Sequence, residues 1–217
     1  MKFYENHFED YLHDETIHPK LTKYYDSFPS NIKNLKNLIF YGPSGVGKYS
    51  QVLMAIKKYS PSELKYEKKI SINFNKSIYY IKISDIHYEV DMSLLGCQSK
   101  LLWNEIFLHI IDIIYVTKSN NTGIIVCKYF EKINKELLEI FYSYMQNMQY
   151  ENIQIKFILL TEDISFIPDN ILNICCIIPV ERPNKNTYNK YFKIKKIKDI
   201  NTINNIKTII AKQPTDE

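Results

Sequence analysis

Gly42-Pro43-Ser44-Gly45-Val46-Gly47-Lys48-Tyr49-Ser50 is the segment with the clearest chemistry. The chain has only five glycines, and three of them fall within these nine residues. The short apolar run Asn37-Leu38-Ile39-Phe40-Tyr41 precedes it, and a helical pattern with Val52, Leu53 and Ile56 on one face follows. Strand, glycine loop, lysine and helix together form a phosphate-binding loop. Its backbone N–H groups converge on an anion, and the helix N-terminus adds partial positive charge. Gly42, Pro43, Ser44, Gly45, Val46, Gly47, Lys48, Tyr49 and Ser50 are therefore the candidate nucleotide-binding residues, with Lys48 reaching the β- and γ-phosphates.

The motif departs from its usual form at the metal. A Ser or Thr directly after the lysine normally ligates Mg²⁺. Tyr49 stands there, with its phenolic oxygen far from its own backbone. Ser50 comes one place late, about 100° further round the helix. The next phosphate-site strand, Gly123-Ile124-Ile125-Val126-Cys127, leads into Lys128-Tyr129-Phe130, and no carboxylate appears until Glu131. An acidic residue at that strand end usually holds the ion, and a neighbouring Glu polarises water. The expectation is ATP or ADP binding with Mg²⁺ held weakly or not at all, and no catalytic or metal residue assigned. Thr161, ending the strand Lys156–Thr161, is a further candidate contact to the γ-phosphate.

The supporting elements alternate. Core strands are expected at Leu38–Tyr41, His87–Val90, Gly123–Cys127, Lys156–Thr161 and Cys176–Val180. Helices are expected after the loop, over Ser99–Tyr115 and over Lys135–Gln146. Such alternation gives an α/β fold with a mostly parallel five-stranded sheet flanked by helices. Lys69–Phe74 and Ile78–Ile83 alternate across an Asn75-Lys76 turn and read as a β-hairpin insertion. Residues 1–30 read as a polar, solvated, partly helical lead-in. Residues 31–183 form the nucleotide-binding domain, and residues 184–217 a Lys/Asn/Ile-rich tail.

Composition bounds the function. The 217 residues fit one domain with a substantial core. The net charge of +4 gives only slight support for nucleic-acid binding. Arg182 is the sole arginine, which excludes phosphotransfer chemistry that needs several guanidinium clamps. Cys97, Cys127, Cys175 and Cys176 form no C-x-x-C pair and read as reduced thiols, which points to a reducing intracellular compartment, cytoplasm or nucleus. His7, His13 and His18 share no helical face as metal ligands would. No apolar run approaches the roughly 18 residues of a membrane span. The basic run Lys193–Lys198 reads as a solvated helix or frayed tail.

Over about residues 33–180 the order and spacing resemble the small subunits of replication factor C, the AAA+ clamp loader, and most of all the subunit 3 type. Tyr41–Lys48 is similar to that family's phosphate loop, Lys69–Ile83 to its hairpin, and His87–Asp91 with Gly96 to its second core strand. Phe157–Leu160, Ile167-Pro168 and Cys175 are similar to its later strands. The resemblance implies an AAA+-like P-loop NTPase fold and a role in DNA replication. It implies other clamp-loader-like or replication proteins as partners, with DNA contact indirect and no membrane. The family's arginine finger is matched by Ile174, and its acidic second motif by Cys127-Lys128-Tyr129-Phe130. A non-hydrolysing structural or regulatory partner is therefore expected. A slow ATPase is the alternative, and a P-loop phosphotransferase a more remote one.

Overall fold

The computed structural model describes residues 7–12, 16–75, 77–117, 121–146 and 153–192, with side chains to residue 188. The strands are β1 Asn37–Tyr41, β2 Lys68–Phe74, β3 Ser77–Ile83, β4 His87–Asp91, β5 Thr122–Lys128, β6 Gln154–Thr161 and β7 Cys175–Pro179. The helices are α1 Pro19–Asp26, α2 Lys48–Lys57, α3 Ser99–Thr117, α4 Lys135–Met145, α5 Asp169–Asn173 and α6 Lys185–Phe192. One seven-stranded sheet runs in the order β2-β3-β4-β5-β6-β1-β7. Its strands β4, β5, β6, β1 and β7 are mutually parallel and supply the five strands expected. The hairpin β2–β3 is more than an appended insertion. Lys82 and Ile83 of β3 pair antiparallel with Glu89 and Tyr88 of β4, so the hairpin extends the sheet edge.

The two faces of the sheet carry separate cores. Leu38, Phe40, Ile124, Val126, Ile158 and Leu160 pack with Val52, Leu53 and Ile56 of α2. Ile39, Ile125, Cys127, Phe157 and Leu159 pack with α3 and α4 on the other face. This is the period-2 alternation of a strand covered on both sides. The stripe on α3 runs through Leu102, Ile106, Ile110 and Ile114, all buried.

The lead-in differs from the solvated segment expected. Phe8 and Tyr25 are fully buried in the α2-side core. Phe8 lies 4.7 Å from the ring of His87 on β4, and its N–H donates to Glu67 at 2.8 Å. Aromatic residues in this polar stretch cover a flank of the sheet that α2 leaves open. His13 and the basic run Lys193–Lys198 lie outside the described residues.

β1 ends at Tyr41, and residues 42–47 turn directly into α2. Gly42 is required there by a close approach. A Cβ at this position would lie 2.2 Å from the carbonyl oxygen of Val180, which follows β7, and a backbone atom cannot swing away. Val180 N–H in turn donates to Tyr41 O at 2.8 Å, locking the last strand to the root of the loop. Gly42→Ala should therefore destabilise the chain by about 1–3 kcal/mol through overpacking. Thermal denaturation monitored by circular dichroism checks this, and an unchanged Tm contradicts it.

Candidate nucleotide site

Backbone conformation builds the loop. Gly45 and Gly47 have φ of 74° and 88°, left-handed values that glycine adopts without penalty. Gly47 is the N-cap of α2 and offers no side chain to its first turn. The N–H groups of that turn are left for an anion, and the helix dipole favours one there. Lys48 folds back across the loop and donates to Gly42 O at 2.6 Å and Pro43 O at 2.8 Å. Burial pulls its pKa down, while the carboxylates of Glu162 and Glu131 oppose that shift. His18 Nε2 meets the carbonyl of Val46 at 2.7 Å and pins the middle of the loop to the N-terminal segment. Burial lowers the His18 pKa, partly offset by this bond and by Glu181. These features fit the phosphate chain of a nucleotide, and Gly42 to Ser50 come together as the spacing requires.

Thr161 is placed beside the loop, paired in register with Tyr41, and is fully buried. Its hydroxyl donates to Asp163 O at 2.6 Å and accepts from Asp163 N–H at 3.3 Å, so it is engaged in its own turn. The next residue, Glu162, donates its N–H to Glu131 at 3.2 Å. Ile174 caps the short helix α5, and Arg182 lies exposed beyond β7.

The metal side holds something that sequence reasoning did not weigh. Glu89, in the middle of β4, is 3% exposed. His87 Nε2 lies 3.4 Å from one of its carboxylate oxygens, and Lys128 Nζ donates to the other at 3.3 Å. The Tyr49 hydroxyl lies near the same carboxylate. Lys128 Nζ sits 5.1 Å from the centre of the Tyr49 ring, and Tyr11 packs edge-on against that ring at 4.7 Å. Ser84 orders the imidazole. Its Oγ accepts the N–H groups of Ile86 and His87 and lies 2.6 Å from His87 Nδ1. The hydroxyl proton is thus left to face Nδ1, and Nε2–H faces Glu89. Burial pushes the Glu89 pKa up. The His87 bond, the Lys128 ammonium and the nearby Tyr49 hydroxyl outweigh it, and the net shift is downward. Burial, and then the nearby Glu89 charge, drive the Tyr49 phenol far above its ordinary pKa.

Strand parity explains the arrangement and corrects one detail of the sequence reading. Cys127 is buried on the α3 face, so it cannot belong to the phosphate site. Lys128, one residue on, turns to the α2 face with Val126 and lies beside Tyr49. The signal for Glu89 was present as a carboxylate two residues from His87 in the same strand, since i and i+2 share a face. Magnesium would meet a phenol and an ammonium here, so the residues do not fit that ion. Among the described residues no group of three or more His, Cys, Asp or Glu is gathered to hold a metal, and no helix is long and apolar enough to cross a membrane.

No protein-family model and no curated protein matches the chain. Solved structures do. PCH-2 of C. elegans superposes with a TM-score of 0.51 at 12% identity, over 86% of this chain and 48% of that one. RIF2 of Saccharomyces cerevisiae superposes with a TM-score of 0.50 at 16% identity, over 88% and 66%. RuvB of Thermotoga maritima superposes with a TM-score of 0.45 at 15% identity, over 82% and 47%. The chain thus spans between about half and two thirds of these structures. With its sheet and loop, the likeness defines the fold as that of an AAA+-type P-loop NTPase.

Glu89 also makes stability depend on pH. Its folded-state pKa lies below the ordinary 4.5, so its contribution is fully present above that value and is lost as pH falls through the folded pKa. Denaturant unfolding should show the wild type losing stability between about pH 5 and pH 3 more steeply than Glu89→Gln. Parallel pH profiles for the two proteins would contradict the assignment.

Proposed function

We propose that this chain is a nucleotide-binding AAA+-type module that does not turn ATP over. In this reading it serves as a structural or regulatory partner in a clamp-loader-like assembly of DNA replication. The observation that carries it is the contrast between the two halves of the site. The phosphate half is complete, with left-handed glycines, an uncapped helix N-terminus and Lys48 folded into the loop. The half that would position a metal and a water carries Tyr49, Lys128 and Tyr129. The clamp-loader assignment rests on the sequence resemblance, and Ile174 at the finger position supports a subunit that completes no neighbour's site. Such a partner meets other clamp-loader subunits, and DNA only through them.

A slow ATPase is the second reading, and one observation favours it. Glu131 lies close enough to Lys48 to influence its charge, and it bonds the backbone beside Thr161.

In the proposed mechanism the loop N–H groups and Lys48 bind and orient the phosphate chain. Tyr49 and Tyr129 supply no carboxylate to take a proton from water, so the bound nucleotide persists. Lys48→Ala should lower ATP affinity at least tenfold, about 1.4 kcal/mol, by calorimetry. Phosphate release from the wild type should stay far below the ~1 s⁻¹ at which such enzymes begin to operate. Turnover near that rate that is abolished by Glu131→Gln establishes the ATPase instead. Co-expression with replication factor C subunits, followed by gel filtration, tests the assembly. Co-elution is expected, and separate elution contradicts it.

A further inference from the structure

We propose that Lys128 is a tethered cation that takes the place of magnesium, so that the site accepts the metal-free nucleoside triphosphate. This rests on the nucleotide-binding reading above and specifies the ligand form that the same site takes.

The geometry is specific. Tyr49 directly follows the loop lysine, where a metal-ligating hydroxyl would stand, and the Lys128 ammonium lies against the Tyr49 ring. Lys128 also ends β5, where a metal-holding carboxylate would stand. Both places from which the chain would grip a cation are thus occupied by one ammonium and the ring beneath it. Glu89 holds that ammonium. One of its oxygens meets His87 and the other Lys128, and the Tyr49 hydroxyl lies nearby. A divalent ion arriving there would meet no unshared ligand and would be repelled by the charge of Lys128.

The ammonium is also suited to a phosphate oxygen. A lysine carries three donors, and Glu89 takes one. The side chain is 29% exposed, so the remaining donors can face the loop. With Lys48 it brings two positive charges to a polyphosphate, one fewer than the loop lysine with a magnesium ion would bring. The ammonium costs no metal recruitment, and Glu89 and the aromatic face fix it in advance.

The test is calorimetry of ATP binding to the full chain, once with magnesium and once with EDTA. Wild-type affinity should agree within about threefold between the two buffers. In EDTA, Lys128→Ala should weaken ATP about tenfold or more while leaving AMP, which lacks the distal phosphates, unchanged. Tyr49→Thr combined with Lys128→Asp should restore a magnesium requirement. If wild-type ATP binding collapses in EDTA, the tethered cation is wrong and nucleotide binding stands. If the folded wild type binds no ATP in either buffer, both readings fail. The wild-type comparison needs no variant, so instability of Lys128→Ala would not shield the proposal. Equal ATP affinity of folded Lys128→Ala and wild type overturns it.

Discussion

A buried carboxylate must be compensated, and here that requirement organises one side of the molecule. Glu89 is removed from water in the interior of β4. Isolated, such a charge would cost several kcal/mol. His87 from its own strand and Lys128 from the end of β5 meet it, and the Tyr49 hydroxyl from the first turn of α2 lies nearby. The carboxylate therefore ties the start of the phosphate-loop helix to two central strands. The N-terminal segment completes the enclosure, with Phe8 against His87 and Tyr11 against Tyr49. Removing any one partner leaves a buried charge less satisfied, which makes the cluster a unit rather than a set of separate contacts.

In the proposed function the same cluster would separate binding from turnover. A phosphate loop needs converging N–H groups and a lysine, and both are supplied by backbone conformation and the position of Lys48. Hydrolysis needs a held cation and an activated water. Those duties fall on the residue after the lysine and on the end of the neighbouring strand, the two positions that the Glu89 cluster uses. Lys128 could not be changed alone without disturbing the charge balance around Glu89. On the proposed reading, the fold of an AAA+-type NTPase would be compatible with a site that retains its ligand.

Much of the fold was legible in the sequence because it depends on local pattern. The glycine spacing at Gly42, Gly45 and Gly47 and the continuous apolar runs at Gly123–Cys127 and Lys156–Thr161 identify the loop and the parallel core directly. The 3.6-residue stripe of α3 was legible for the same reason. Features that depend on which strands become neighbours were not. The pairing of β3 with β4, which turns a hairpin into a sheet edge, is a long-range choice with no local signature. Burial of Phe8 and Tyr25 follows from an uncovered flank that only the assembled sheet creates. At the site, the substitution of Tyr49 was readable, but the facing direction of Lys128 required the strand parity that sets Cys127 on the opposite side. Glu89 was passed over because a single carboxylate in a strand has no meaning until its partners are known.

The central claim is that the loop holds a nucleotide whose phosphates meet lysine rather than metal. A crystal structure of the chain grown with ATP and EDTA tests it most directly. The account predicts phosphates seated on the N–H groups of residues 42–50, with the ammonium groups of Lys48 and Lys128 both at hydrogen-bonding distance. Phosphates bound with the Lys128 ammonium beyond hydrogen-bonding distance of them, or a loop without nucleotide, would contradict it.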